Sequence, residues 1–235
     1  MKQFLLTSVL CSILSLPSQA ADHEISFELG TFANNDETYN LFGGNDGMKS
    51  WGFRGGYAIH DRVSIIASYH HHRTGSHITT DEDWEYAFHS AYYANLFGIG
   101  AKADVQPLKW LQFYSALQGL AYLGTARFDA DGNSRTNIGQ FNATSLAVGG
   151  QVTVGTEIKI RLKTNKSLFK KSEAKDQGTL QFAWHIEGGY GIVSKHEYQF
   201  KDVNAEVNGF PEESENNASM NPGGFVLRSG LGMRF

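Results

Sequence analysis

Apolar and polar side chains alternate along this chain with a period of two, in segments of about ten residues divided by polar stretches, which is the pattern of half-buried strands. From Glu24 to Ala33, Ile25, Phe27 and Leu29 share one face and Glu24, Ser26 and Glu28 the other. Trp51 to Ile59 sets Trp51, Phe53, Tyr57 and Ile59 against Arg54 and glycines. After a tight turn at His60-Asp61-Arg62, the next strand sets Val63, Ile65, Ala67 and Tyr69 against Ser64, Ser68, His70 and His72. A strand from Tyr86 to Ala103 follows, with its facing open, because Tyr92, Leu96 and Lys102 share one parity while Tyr93, Phe97 and Ile99 share the other. Trp110 to Phe128 offers Leu111, Phe113, Leu117 and Leu123 against Gln112 and Gln118; Ala143 to Ile160 offers Leu146, Val148, Val152 and Val154 against Ser145, Gln151 and Thr153. Thr179 to Val193 places Leu180, Phe182, Trp184, Ile186 and Tyr190 opposite Gln181, His185 and Glu187, and Phe225 to Phe235 completes about eight strands.

The links between strands alternate in length. Asn34 to Ser50, Thr74 to Glu85, Asp129 to Gln140 and Lys201 to Gly224 are long and polar, whereas the links around His60 and Pro107 are short. Long loops at one end and short turns at the other predict an all-β fold, a closed antiparallel up-and-down transmembrane β-barrel. Closure is obligatory in hydrocarbon, where each unpaired backbone group costs several kcal/mol. A soluble sandwich or lipocalin-like barrel also alternates. Against it stand the scarcity of Lys in the central strands and the aromatic residues near strand ends on the apolar face, Trp51, Tyr57, Tyr69, Trp110, Trp184 and Tyr190, which fit interfacial girdles.

Composition sharpens this picture. The chain has 26 glycines, 16 phenylalanines and 10 tyrosines but only 4 prolines, as an all-β chain should. Residues 1–20 read as a secretory signal peptide: Lys2, an apolar run from Phe4 to Leu16, and Pro17-Ser18-Gln19-Ala20 with small residues before the expected cleavage. Residues 21–235 are then the barrel. Cys11, the single cysteine, falls in the signal run, where Ser8-Val9-Leu10 lacks the pattern of lipoprotein processing. The mature chain has no disulfide to hold it, so closure must. Loss of Lys2 leaves 19 basic against 24 acidic residues and moves the formal charge from −4 to −5. No basic stripe marks a nucleic-acid binder.

With the apolar parity toward lipid, Glu24, Glu28, Glu157 and Glu187 point inward with Arg54, Lys159, Arg228 and Arg234. Gln118, Gln151 and His185 join them. An eight-stranded barrel is just wide enough for side chains to fill, and buried charges persist only when paired. The expected interior is a polar plug centred on Glu28, Arg54, Gln118, His185, Glu187 and Arg228; a narrow ion or small-solute path is the alternative. His70-His71-His72 with His77 and Asp81-Glu82-Asp83 is the one cluster of metal-ligand type, but no spacing fixes a ligand set. His89-Ser90 holds the residue types of a hydrolytic pair, yet adjacent strand residues face opposite ways. No catalytic, cofactor or metal residue is therefore assigned, and the protein is expected not to be an enzyme. The segment from Arg161 to Gly178 carries Arg161, Lys163, Lys166, Lys170, Lys171 and Lys175. It reads as a charged hairpin, as an attraction to anionic headgroups, or as a contact for an acidic periplasmic partner.

Phe225 to Phe235 ends on an aromatic residue with Phe225, Leu227, Leu231 and Met233 alternating before it. With the signal peptide, this resembles the terminal strand that barrel-assembly machinery recognises, with Leu231, Met233 and Phe235 as the assembly signal. Residues 22–235 together resemble the small eight-stranded bacterial outer-membrane barrels of the opacity protein, outer-membrane protein X and outer-membrane protein A membrane-domain type. The resemblance implies a multi-pass, porin-like outer-membrane location in a Gram-negative envelope, reached after secretion through the inner membrane. Lipids and lipopolysaccharide would surround the barrel, with acidic outer loops such as Asp81 to Asp83 bridged to phosphates by divalent cations. It implies a structural or surface-interaction role through extracellular loops; a few such barrels modify lipid A, so the fold alone does not choose.

Overall fold

The structure is a computed structural model that describes residues 23–33, 48–60, 62–74, 77–80, 86–132, 137–161, 181–199 and 217–234. The expected signal peptide, Phe235 and the basic segment beyond Arg161 lie outside the described residues. Among the described residues there are eleven strands: β1 (His23–Ala33), β2 (Met48–His60), β3 (Val63–Arg73), β4 (His77–Thr80), β5 (Tyr86–Leu108), β6 (Leu111–Gly132), β7 (Asn137–Arg161), β8 (Gln181–Val193), β9 (His196–Gln199), β10 (Asn217–Met220) and β11 (Gly224–Arg234). Eight of them form one antiparallel sheet in the order β3-β2-β1-β11-β8-β7-β6-β5, and β5 pairs back onto β3 to close it. The first and last strands meet as neighbours, from Glu24 opposite Arg234 to Ala33 opposite Phe225, so neither keeps a free edge along this ladder. The fold class is a closed eight-stranded up-and-down β-barrel, as the spacing of polar and apolar positions predicts.

Strand register follows side-chain parity. Glu24, Ser26 and Glu28 on β1 are buried, while Phe27 and Leu29 face out. On the outside, Ile99 is 67% exposed, Leu231 68% and Ile192 74%, and β6, β7 and β8 add Leu117, Leu123, Leu146, Val152, Val154, Trp184 and Ile186. An apolar exterior wrapped around a charged interior is the inverse of a water-soluble barrel, and suits hydrocarbon.

The facing of β5 is settled by closure. Tyr92, Ala94, Leu96 and Lys102 turn inward, and Phe97 and Ile99 turn out. Three expected loops are shorter than the sequence suggests. Asp129 pairs with Gln140, so most of the 129–140 stretch is a continuation of the β6–β7 ladder. Within Thr74 to Glu85, β4 continues the edge of β3 by pairing with β5 from His77 opposite Ser90 to Thr80 opposite Ala87. Within Lys201 to Gly224, β10 pairs with β9 as a separate two-stranded sheet. β5, β6 and β7 run to 23, 22 and 25 residues, whereas a bilayer needs about 9–11 per strand. The remainder of each strand, roughly a dozen residues counted over both ends, lies outside a span of that length.

We call the end holding His23, Arg234 and the turns at 60–63 and 108–111 the turn end, and the other the far end.

Candidate functional site: the filled interior and its cap

Inside the barrel, strand parity delivers side chains into three layers, of which the two nearer the turn end are charged. At the turn end, Lys102 Nζ lies 2.6 Å from Glu24 Oε2 and 3.5 Å from Glu157 Oε2. The Arg234 guanidinium sits 2.9 Å from each of the same two carboxylates. Gln112 donates to Asp104 beside them.

The middle layer is organised by Arg54. Its Nε is 3.0 Å from Glu28 and its Nη1 2.7 Å from Glu187, while Glu24 lies at 3.7 Å, tying this layer to the one below. Glu28 also meets His70 Nε2 at 2.8 Å and His185 Nε2 at 3.0 Å. Glu187 accepts from the Tyr114 hydroxyl at 2.9 Å and from Arg228 at 3.3 Å; Arg228 in turn donates to Gln151 at 3.1 Å. Gln118 donates to Ser68 at 2.9 Å. Each of these charged side chains is nearly inaccessible. Taking an ion out of water costs several kcal/mol, which the mutual attraction of well-placed partners must offset. The arrangement leaves a cavity of only about 10 Å³ between Glu24, Arg54, Glu157 and Arg234, about the least volume that holds one water.

The third layer departs from the expectation of a polar plug throughout. Toward the far end the interior is apolar and aromatic: Phe32, Met48, Leu96, Leu120, Tyr122 and Val226 fill it beside Tyr92. The β9–β10 hairpin caps this layer with buried His196, Tyr198 and Met220. His196 stacks on Tyr198 at 5.4 Å and meets Tyr92 and Tyr122 edge-on at 6.4 Å. The cap fits because position 124 is glycine, where a Cβ would collide with the Tyr198 and Tyr92 hydroxyls. Burial pushes the His196 imidazole down to about 4 and the Tyr198 hydroxyl up.

Thus the six residues singled out from sequence stand in the interior: Glu28, Arg54, His185, Glu187 and Arg228 share one network, and Gln118 lies beside it on Ser68. Leu231 and Met233 face outward on β11; Phe235 lies outside the described residues. Sequence reasoning missed Lys102, Tyr114 and the cap. The isolated Lys102 in an otherwise apolar strand was the available signal for its parity.

The three consecutive histidines go three ways. His70 takes Glu28, His72 packs between Phe32 at 5.7 Å and Tyr122 at 5.9 Å, and His71 faces outward onto Trp51. Among the described residues no three potential metal ligands gather; the side chains of His77 and Asp81 to Asp83 lie outside them. Ser90 is buried, and the His89 side chain is also outside the described residues.

Fold and interior together define a small closed eight-stranded barrel with a lipid-facing wall, a paired-charge core and an inward-folded hairpin cap. No known family model matches the chain, and no curated protein matches it in sequence. Among solved structures it is similar to the Neisserial surface protein A (11% identity, TM-score 0.40, 92% of this chain and 97% of that one). It is also similar to Ail, the attachment invasion locus protein of Yersinia pestis (12%, 0.41, 92% and 97%). The N-terminal β-barrel domain of Pseudomonas aeruginosa OprF is a third such structure (14%, 0.36, 91% and 97%).

Proposed function

We propose that the protein is a non-enzymatic, non-conducting barrel of the outer membrane, whose role is structural and surface-interacting through the segments at its far end. What supports this reading is the packing of the described interior: paired charges leave a gap of about 10 Å³ between Glu24, Arg54, Glu157 and Arg234, and the β9–β10 hairpin lies over the apolar layer. In this proposal residues 1–20 direct secretion through the inner membrane, and Leu231, Met233 and Phe235 engage the barrel-assembly machinery. The far end faces outside, and the basic segment 161–178 meets anionic headgroups or an acidic periplasmic partner.

A narrow ion path is the second reading. In its favour is the unbroken chain of polar contacts from Lys102 through Glu24, Arg54 and Glu187 to Arg228; it requires the cap to leave the mouth. Planar-bilayer recording decides between the two. The refolded full barrel should give no stepwise conductance, and steady single-channel steps would overturn the non-conducting assignment.

A further inference from the structure

Among the described residues, the outer wall of the barrel carries its charge near one level. Among the described side chains of the eight barrel strands, those carrying charge and facing outward are Lys49, Arg73 and Arg127; none is a carboxylate, and all three sit at the far rim of the apolar belt. Lys49 and Arg73 are direct partners across the β2–β3 ladder, and Arg73 is in turn opposite Tyr93 on β5. The Arg73 guanidinium lies over the Tyr93 ring at 5.4 Å, which holds it against the wall and leaves its N–H edge for a ligand. Like charges placed directly opposite on neighbouring strands destabilise the pair, so this position asks for an anion between them.

One step toward the membrane centre, the wall turns aromatic and hydrogen-bonded. The Tyr69 hydroxyl donates to Asn95 at 2.8 Å, with His71 at 3.1 Å from the same oxygen, and Trp51 packs on both rings. Another step down, Phe53 and Phe97 are exposed and apolar. A basic pair above an amphipathic aromatic step above a hydrocarbon wall matches, in order, the phosphate, sugar and acyl parts of a phosphorylated glycolipid.

We propose that the far rim across β2, β3 and β5, headed by Lys49 and Arg73, binds the phosphates of a multiply acylated glycolipid of the lipid A type in the surrounding leaflet. Placing that lipid in the outer leaflet rests on the far end facing outside, as in the function proposed above; the binding chemistry does not.

The test is equilibrium binding to the refolded full-length barrel in maltoside micelles, where membrane sidedness plays no part. Three probes are compared: bisphosphorylated lipid A, its dephosphorylated counterpart and phosphatidylglycerol. Attraction of about 1 kcal/mol per basic residue near an anionic surface corresponds to about fivefold in affinity each. Lys49→Gln with Arg73→Gln should therefore weaken lipid A binding about thirtyfold and leave the dephosphorylated lipid unchanged. Lys49→Arg with Arg73→Lys should restore most of it, and Arg62→Gln with Lys109→Gln on the opposite turns should change nothing. Heat-shifted gel mobility checks that each variant is folded; should the double Gln variant not fold, the single Lys49→Gln change carries the fivefold test. Unchanged lipid A affinity in the Gln variants overturns the site. Phosphatidylglycerol binding as tightly as lipid A overturns the glycolipid assignment. Neither result depends on which end faces outside, which cysteine labelling decides separately.

Discussion

Arg54→Ala is the most searching perturbation of the interior. The guanidinium touches Glu28 at 3.0 Å and Glu187 at 2.7 Å, with His185 at 3.1 Å, and is itself almost inaccessible. At an effective dielectric near 20, each of the two close pairs is worth about 5 kcal/mol of gross attraction. Most of that is set against the cost of drying the arginine. What remains after its removal is two buried carboxylates short of a partner, and such losses run about 3 to 5 kcal/mol. Here His70 and His185 still face Glu28, and Arg228 and Tyr114 still face Glu187, so the lower end of that range applies. Urea unfolding of the refolded barrel in micelles, followed by Trp fluorescence and by gel mobility, should show the midpoint falling by about 1 M at a slope of about 3 kcal/mol/M. Arg54→Lys, which keeps the charge but loses the fork, should fall part-way, and Lys109→Ala on an exposed turn should stay within about 0.5 kcal/mol. Equal midpoints for Arg54→Ala and Lys109→Ala would refute a dry, paired interior.

Three further outcomes are expected. Deleting Phe235 should lower the amount of folded barrel in outer membranes, measured by heat-shifted mobility of membrane fractions; normal levels would remove this residue from the assembly signal. His196 is neutral when docked, with its pKa lowered by burial from the ordinary ~6.5 to about 4. A lowered histidine pKa contributes stability that is complete above about 6.5 and is lost as pH falls toward about 4; protection factors of the β9 amides should therefore drop from pH 7.5 to pH 4.5, and His196→Gln should abolish that drop. With no cysteine in residues 21–235, single cysteines at Ser214 and Ser172 report sidedness. An impermeant maleimide on intact cells should label Ser214→Cys and spare Ser172→Cys until the outer membrane is permeabilised, and the reverse pattern would invert the topology.

Much of this barrel was legible in the order of residues alone. Where one face meets hydrocarbon and the other a charged interior, the two parities of a strand differ sharply in polarity, so β1, β2, β6, β7, β8 and β11 each declare their facing. The same contrast placed Glu28, Arg54, Gln118, His185, Glu187 and Arg228 inside. It fails for β5 because the interior there is itself apolar: Tyr92, Ala94 and Leu96 pack under the cap while Phe97 and Ile99 face lipid, and two apolar parities carry no sign. Only closure of the sheet, through pairing of β5 with β3, decided which set turned inward and brought Lys102 to Glu24. The tertiary structure alone also decided which carboxylate meets which guanidinium, since partners such as Arg54 and Glu187 are 133 residues apart. It likewise folded His196, Tyr198 and Met220 back over the barrel, because a four-residue strand in a polar loop has too short a pattern to announce itself, and its apolar positions find a core only once the barrel mouth exists.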